Sequence, residues 1–168
     1  TVSYNDHETL TTDWILDATG RIPNIENIGL DEVGVSYNAN GIEVNDHLQT
    51  NIDNIYASGD VLDKEQPKLT PTAIFESSYL TQLFTGKTTD AINYPPIPTI
   101  VFTSPQIAQV GMSVEEAQQN PDYTIKTNHL PDGWFRQVDK ETIGDNTLIY
   151  DQDHHLVGAA KVSEHAAD

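Results

Sequence analysis

"YPPIPTIVFTSPQIAQVG", residues 94–111, is where this chain changes character. Pro95, Pro96 and Pro98 crowd into five residues, and proline both fixes φ and lacks an N–H donor. Neither a helix nor a central strand can run through them, which predicts a domain boundary at Tyr94. Beyond it, residues 99–103 and 107–111 read as strands. Ser113 and Glu116 have the spacing of a capping box, opening a short helix that Asn120-Pro121 ends. Residues 123–130, 146–150 and 156–162 read as further strands, the last two joined by a hairpin over 151–155. Helices beside such an antiparallel sheet make an α+β domain.

Upstream of the prolines the periodicity is mixed. Residues 13–18 read as a mostly buried strand closed by a turn at 19–24, residues 41–44 as a short alternating segment, and residues 55–57 as another strand. Residues 1–10 read as the tail of a hairpin. Thr70-Pro71 predicts a helix start, with Thr70 as N-cap and Pro71 at the first helical position. Ala73, Ile74, Leu80, Leu83 and Phe84 then share one face, and Gly86 stops the helix. In open α/β sheets ligands lie beyond the carboxyl ends of the strands. Three places fit that rule. Gly59 permits close backbone approach, and Asp60 offers a carboxylate to ligand hydroxyls. Thr19-Gly20 is a second tight approach. The Thr70-Pro71-Thr72 helix start presents free N–H groups and a partial positive charge.

Eight Lys and Arg against 26 Asp and Glu give a net charge of -18, which excludes nucleic acid and anionic membrane as expected partners. The chain has no cysteine, so disulfides, thiolate metal sites and thiol nucleophiles are excluded within it. No apolar run is long enough to cross a bilayer, and TVSYNDHETL has no features of a signal peptide, so a cytoplasmic setting is expected. His154-His155 reads as hairpin surface with no metal, and Glu164-His165 as an ordinary exposed pair with no catalytic role. Trp134 and Tyr94 are expected to anchor a core or an interface.

The segments DWILDATGRIPN, TNIDNIYASGDV, KLTPTAIFESSYLTQLFTG and PTIVFTSPQIAQVGMSVEEA, in that order, together resemble the flavin-dependent pyridine nucleotide-disulfide oxidoreductases, with the glutathione reductases the most similar branch. The resemblance covers about residues 13–162. It implies the end of a nicotinamide-binding domain over 1–16, the C-terminal part of an α/β FAD-binding domain over 17–93, and an antiparallel-sheet dimerisation domain over 94–168. By the same resemblance Thr19, Gly20, Gly59 and Asp60, with Leu69, Thr70, Pro71, Thr72 and Ala73, line FAD; Asp60 meets the polyol chain. The whole enzyme would then move electrons from NADPH or NADH through FAD to a disulfide substrate, as a homodimer. The resemblance also requires a Gly-x-Gly-x-x-Gly motif, a redox cysteine pair and a His-Pro motif, none of which occurs in these residues. Taken alone, the chain is therefore expected to be catalytically silent. Two alternatives stay open: a freestanding non-catalytic dimerisation module, and a part of a dihydrolipoamide dehydrogenase or mercuric reductase-like flavoenzyme.

Overall fold

In the computed structural model, which describes residues 1–5 and 8–167, the second half of the chain is built on a five-stranded antiparallel sheet. Its strands are β5 (Thr99–Val101), β6 (Gln106–Gly111), β7 (Thr124–His129), β8 (Gly144–Tyr150) and β9 (Leu156–Ser163). They lie in the order β5-β6-β9-β8-β7, leaving β5 and β7 as the edges. The hairpin predicted over 151–155 joins β8 to β9, with a register shift at Ile149/Tyr150. The capping box is also present: the Ser113 hydroxyl accepts the Glu116 N–H at 3.2 Å, and the Glu116 carboxylate accepts the Ser113 N–H at 2.9 Å. The helix it opens, α3 (Val114–Gln118), lies against β7 and β8 and buries Ala117. Ile149 on β8 is fully buried. A later helix, α4 (Trp134–Val138), leaves Trp134 77% exposed, so this side chain is no core anchor.

The first half holds less regular structure. β1 (Val2–Tyr4) pairs antiparallel with β2 (Glu8–Leu10), both exposed along their length. α1 (Leu30–Val33) is one turn, and β3 (Tyr37–Asn38) pairs with β4 (Gly41–Ile42). α2 (Thr70–Phe84) is the long helix. It stops as expected: Gly86 N–H donates to the Leu83 carbonyl and Lys87 N–H to that of Gln82, the paired bonds of a Schellman ending. Leu48, Leu62 and Tyr79 form the core here, with Val44, Ala57, Leu80, Leu83 and Ile92 packed around them.

Several expectations are corrected. Residues 13–18 form no strand, and Trp14 and Leu16 are about nine-tenths exposed, because no strand among the described residues pairs with them. Residues 55–57 reduce to one isolated bridge, Gln49 to Tyr56. The expected face of α2 is also rotated. Ile74 and Phe84 point outward while Thr72, Glu76 and Tyr79 are buried. Polar partners explain the rotation, since the inward carboxylate of Glu76 is hydrogen-bonded on both oxygens.

A second buried carboxylate, Glu141, lies between α4 and β8 in the chain. It accepts from the Ser163 hydroxyl and, at 2.8 Å, from the Arg136 guanidinium. The Ser163 bond first, then the Arg136 charge and a backbone bond from Glu164, hold its carboxyl below the ordinary value of 4.5 against the opposing effect of burial. A folded pKa below the unfolded one gives stability present above the unfolded value and lost as pH falls through the folded value. Acidification below 4.5 should therefore lower the urea midpoint of the wild type more steeply than that of Glu141→Gln, whose midpoint is already lower at neutral pH. Parallel pH profiles of the two proteins would refute this.

Candidate functional site

Two local structures meet at Asp60. The first is a single 3-10 turn, Gly59–Val61, entered from an extended Ser58. Gly59 adopts φ +82, a left-handed conformation that side chains avoid, and a Cβ there would stand 3.5 Å from the Ala73 methyl. The turn is thereby lodged on the first turn of α2, with Gly59 buried and Asp60 exposed at its tip. The second structure is that helix start itself. The Ala73 N–H donates to the Leu69 carbonyl at 3.0 Å, so Leu69 is the N-cap and Thr70 and Pro71 are the first two helical residues. The expected cap at Thr70 is displaced by one residue, which costs nothing because Pro71 still sits where an N–H would lack a partner. No side chain caps this end among the described residues, so its N–H groups and partial positive charge remain available to a ligand.

Asp60 is shared by two open hollows. One, of about 470 Å³, runs along α2 past Thr70, Ala73 and Ile74 to the hydroxyl residues Ser77, Ser78 and Thr81. The other, of about 400 Å³, is lined by Arg21, Ile22, Pro23, Asn24, Val61 and Lys68. The structure thus brings Gly59, Asp60, Thr70 and Ala73 together, with Leu69 as the cap behind them and Pro71 exposed beside them. Thr72 is turned inward. Thr19 and Gly20 line neither hollow. The Thr19 N–H and hydroxyl both bond the Asp17 carboxylate, at 3.1 and 2.7 Å, in an exposed local turn. Those bonds hold the Asp17 carboxyl below its usual range. It is the residues just after Gly20, beginning with Arg21, that reach Asp60.

Arg21 and Lys68 were not singled out from sequence. Their signal was the rarity of cations in so acidic a chain: two of only eight line the same hollow as Asp60. Lys68 is meanwhile held by its ammonium, which donates to the Asn40 carbonyl at 2.6 Å. A hollow lined by one carboxylate and two cations suits a ligand that carries both hydroxyls and an anionic group. The Thr72 hydroxyl adds a test of fit. It is buried without a partner among the described residues, on the helix turn that lines the larger hollow. Such an atom costs about 1–3 kcal/mol, but it faces the interior and not the hollow, so it offers a ligand nothing directly. No group of three metal-binding side chains occurs among the described residues, and no helix among them is long and apolar enough to cross a membrane.

Both halves of the chain match known protein families. The family model for pyridine nucleotide-disulphide oxidoreductases matches residues 1–77, and the model for their dimerisation domain matches residues 97–168. A mercuric reductase of Lysinibacillus sphaericus is 35% identical across 96% of this chain and 30% of its own length. A dihydrolipoyl dehydrogenase of Buchnera aphidicola is 35% identical across 93% of this chain and 33% of its own. A glutathione reductase of Nostoc is 32% identical across 99% and 39%. The chain therefore spans about a third of the length of the curated relatives it matches. Among solved structures, RclA of Escherichia coli, described as an HOCl-induced flavoprotein disulfide reductase, superposes with a TM-score of 0.84 at 24% identity, over 98% of this chain and 38% of that one.

Proposed function

Since the chain belongs to the pyridine nucleotide-disulphide oxidoreductases, we propose that it is the FAD-cradling and dimer-forming part of a flavoprotein disulfide reductase acting in the cytoplasm. The observation that carries this reading is the meeting of a glycine turn and an uncapped helix N-terminus at Asp60, beside a hollow that Arg21 and Lys68 also line. Asp60 would accept hydrogen bonds from the hydroxyls of the cofactor's polyol chain, and Arg21 and Lys68 would face its phosphates. The first turn of α2 would turn its partial positive charge and the Thr70 and Thr72 N–H groups towards an electron-rich ring edge and favour negative charge there. The chemistry FAD supplies when bound is acceptance of a hydride from NADPH or NADH and delivery of the electron pair to a disulfide. With no cysteine in these residues, the thiol pair that meets such a disulfide lies outside them. Thr19 and Gly20 belong to the same reading as the return from the nicotinamide domain, whose end would occupy 1–16. Residues 17–93 would complete the FAD domain and 94–168 the interface of a two-fold homodimer. The similar identities of the relatives leave the acceptor open among glutathione, lipoamide and mercuric ion types.

The test is the visible spectrum of the full-length protein purified from its native reading frame. It should carry a flavin band. Asp60→Ala should weaken FAD retention roughly 10- to 100-fold, the size expected for a lost hydrogen bond to a charged group. A colourless protein that takes up no added FAD would overturn the reading.

A further inference from the structure

Asp60 is exposed, and no side chain among the described residues holds its carboxylate, so its direction is inherited from the backbone of the Gly59–Val61 turn. What fixes that backbone lies beneath it. Glu76, fully buried on α2, accepts the Gly59 N–H on Oε2 at 2.5 Å. Its Oε1 accepts from the Lys64 ammonium and, at 2.8 Å, from the Tyr94 hydroxyl. Lys64 is itself only 5% exposed, so this is a buried ion pair bonded at each end of the carboxylate. Burial, and next the bond to Glu76, push the Tyr94 hydroxyl far above its ordinary value, so it stays a donor at any physiological pH.

Stability alone does not explain such a cluster. A buried ion pair recovers its desolvation cost only with excellent geometry, and apolar residues of similar volume often stabilise a fold as well or better. One thing an apolar residue here could not supply is an acceptor for the Gly59 N–H. We propose that Glu76 is a positioning residue for the ligand-binding carboxylate, anchoring the Gly59 peptide so that Asp60 is held towards the cofactor. Lys64 and Tyr94 hold Glu76 in turn. Tyr94 adjoins the proline segment that leads to the five-stranded sheet, so the anchor is tied at the junction of the two halves. This inference rests on the flavin reading of the site.

The test is made in full-length protein with FAD affinity and thermal midpoint measured side by side. Glu76→Leu with Lys64→Met removes the pair without stranding a charge, and should weaken FAD binding roughly tenfold while the protein stays folded. Glu76→Gln with Lys64→Met restores a carbonyl acceptor for Gly59 and should bring FAD affinity back to within about twofold of wild type. A purely structural role would move both double variants alike. Should the Leu variant not fold, Glu76→Asp draws the carboxylate back by one methylene while keeping the charge for Lys64. It should weaken FAD binding roughly fivefold. Equal FAD affinity in wild type and the Leu double variant, or in wild type and Glu76→Asp, overturns the inference alone. A wild type that takes up no flavin overturns the cofactor reading, and this inference with it.

Discussion

Gly41→Ala is expected to destabilise the first half of the protein by about 3 kcal/mol or more, as overpacking and backbone strain act together. Gly41 lies in β4 at φ +143, a conformation L side chains rarely adopt. A Cβ there would fall 2.3 Å from the Val61 carbonyl oxygen, 2.6 Å from the Leu62 carbonyl carbon and 2.7 Å from the Asp63 nitrogen. All three are backbone atoms, so no side chain can swing aside. The contact exists because Ile42 bridges Leu62, and the Asp63 N–H donates to the Ile42 carbonyl at 3.0 Å. The β3–β4 hairpin is therefore pressed on the chain just after Asp60. The substitution should loosen that turn as well as the fold, so FAD retention should fall along with the urea midpoint. A variant within about 1 kcal/mol of wild type would show that this close approach is relieved at little cost.

Ile149→Ala should remove about 2–5 kcal/mol from the other half. Ile149 is fully buried on β8 and stands opposite Gly158 on β9, where α3 covers the sheet. A Cβ on Gly158 would stand 3.0 Å from the Ile149 δ-methyl, so the isoleucine already fills the space its neighbour leaves. Deleting three carbons leaves a cavity that paired strands on either side cannot close. Both variants are best followed by far-ultraviolet circular dichroism, since Trp14 and Trp134, at 89% and 77% exposure, are poor reporters of burial. A loss below about 1 kcal/mol would mean that the sheet repacks around the gap.

What the sequence revealed depended on how far apart the partners lie. The sheet after Pro98 was legible because its signals are local: a capping box four residues long and a hairpin whose arms are neighbours in the chain. Residues 13–18 showed the reverse. Their apolar run calls for burial and says nothing about which strand would provide it, and here they are irregular and exposed. The face of α2 was misread because periodicity counts apolar residues, while Thr72 and Glu76 turn inward. At the candidate site, the tight turn at Gly59 was legible from the glycine itself, although the strand expected to lead into it reduces to one bridge. Arg21 and Lys68 were not, because only the fold carries them to the same hollow as Asp60. Glu76 was hidden for a similar reason: a glutamate in a helix reads as solvent-facing until its partners at Gly59, Lys64 and Tyr94 are known.

The edge position of β5 bears on how the protein avoids misassembly. Thr99 to Thr103 is uncharged, β-branched or aromatic throughout, and Val101 and Phe102 are 56% and 75% exposed on a rim with unpaired backbone groups. That is the profile of a segment able to template cross-β stacking of one molecule on another. Pro98 on one side and Pro105 on the other limit the run to a handful of residues, and neither has an N–H with which to extend a ladder. Prolines at both ends of this run sit where gatekeeper residues would sit, and replacing Pro98 is expected to lengthen the adhesive rim.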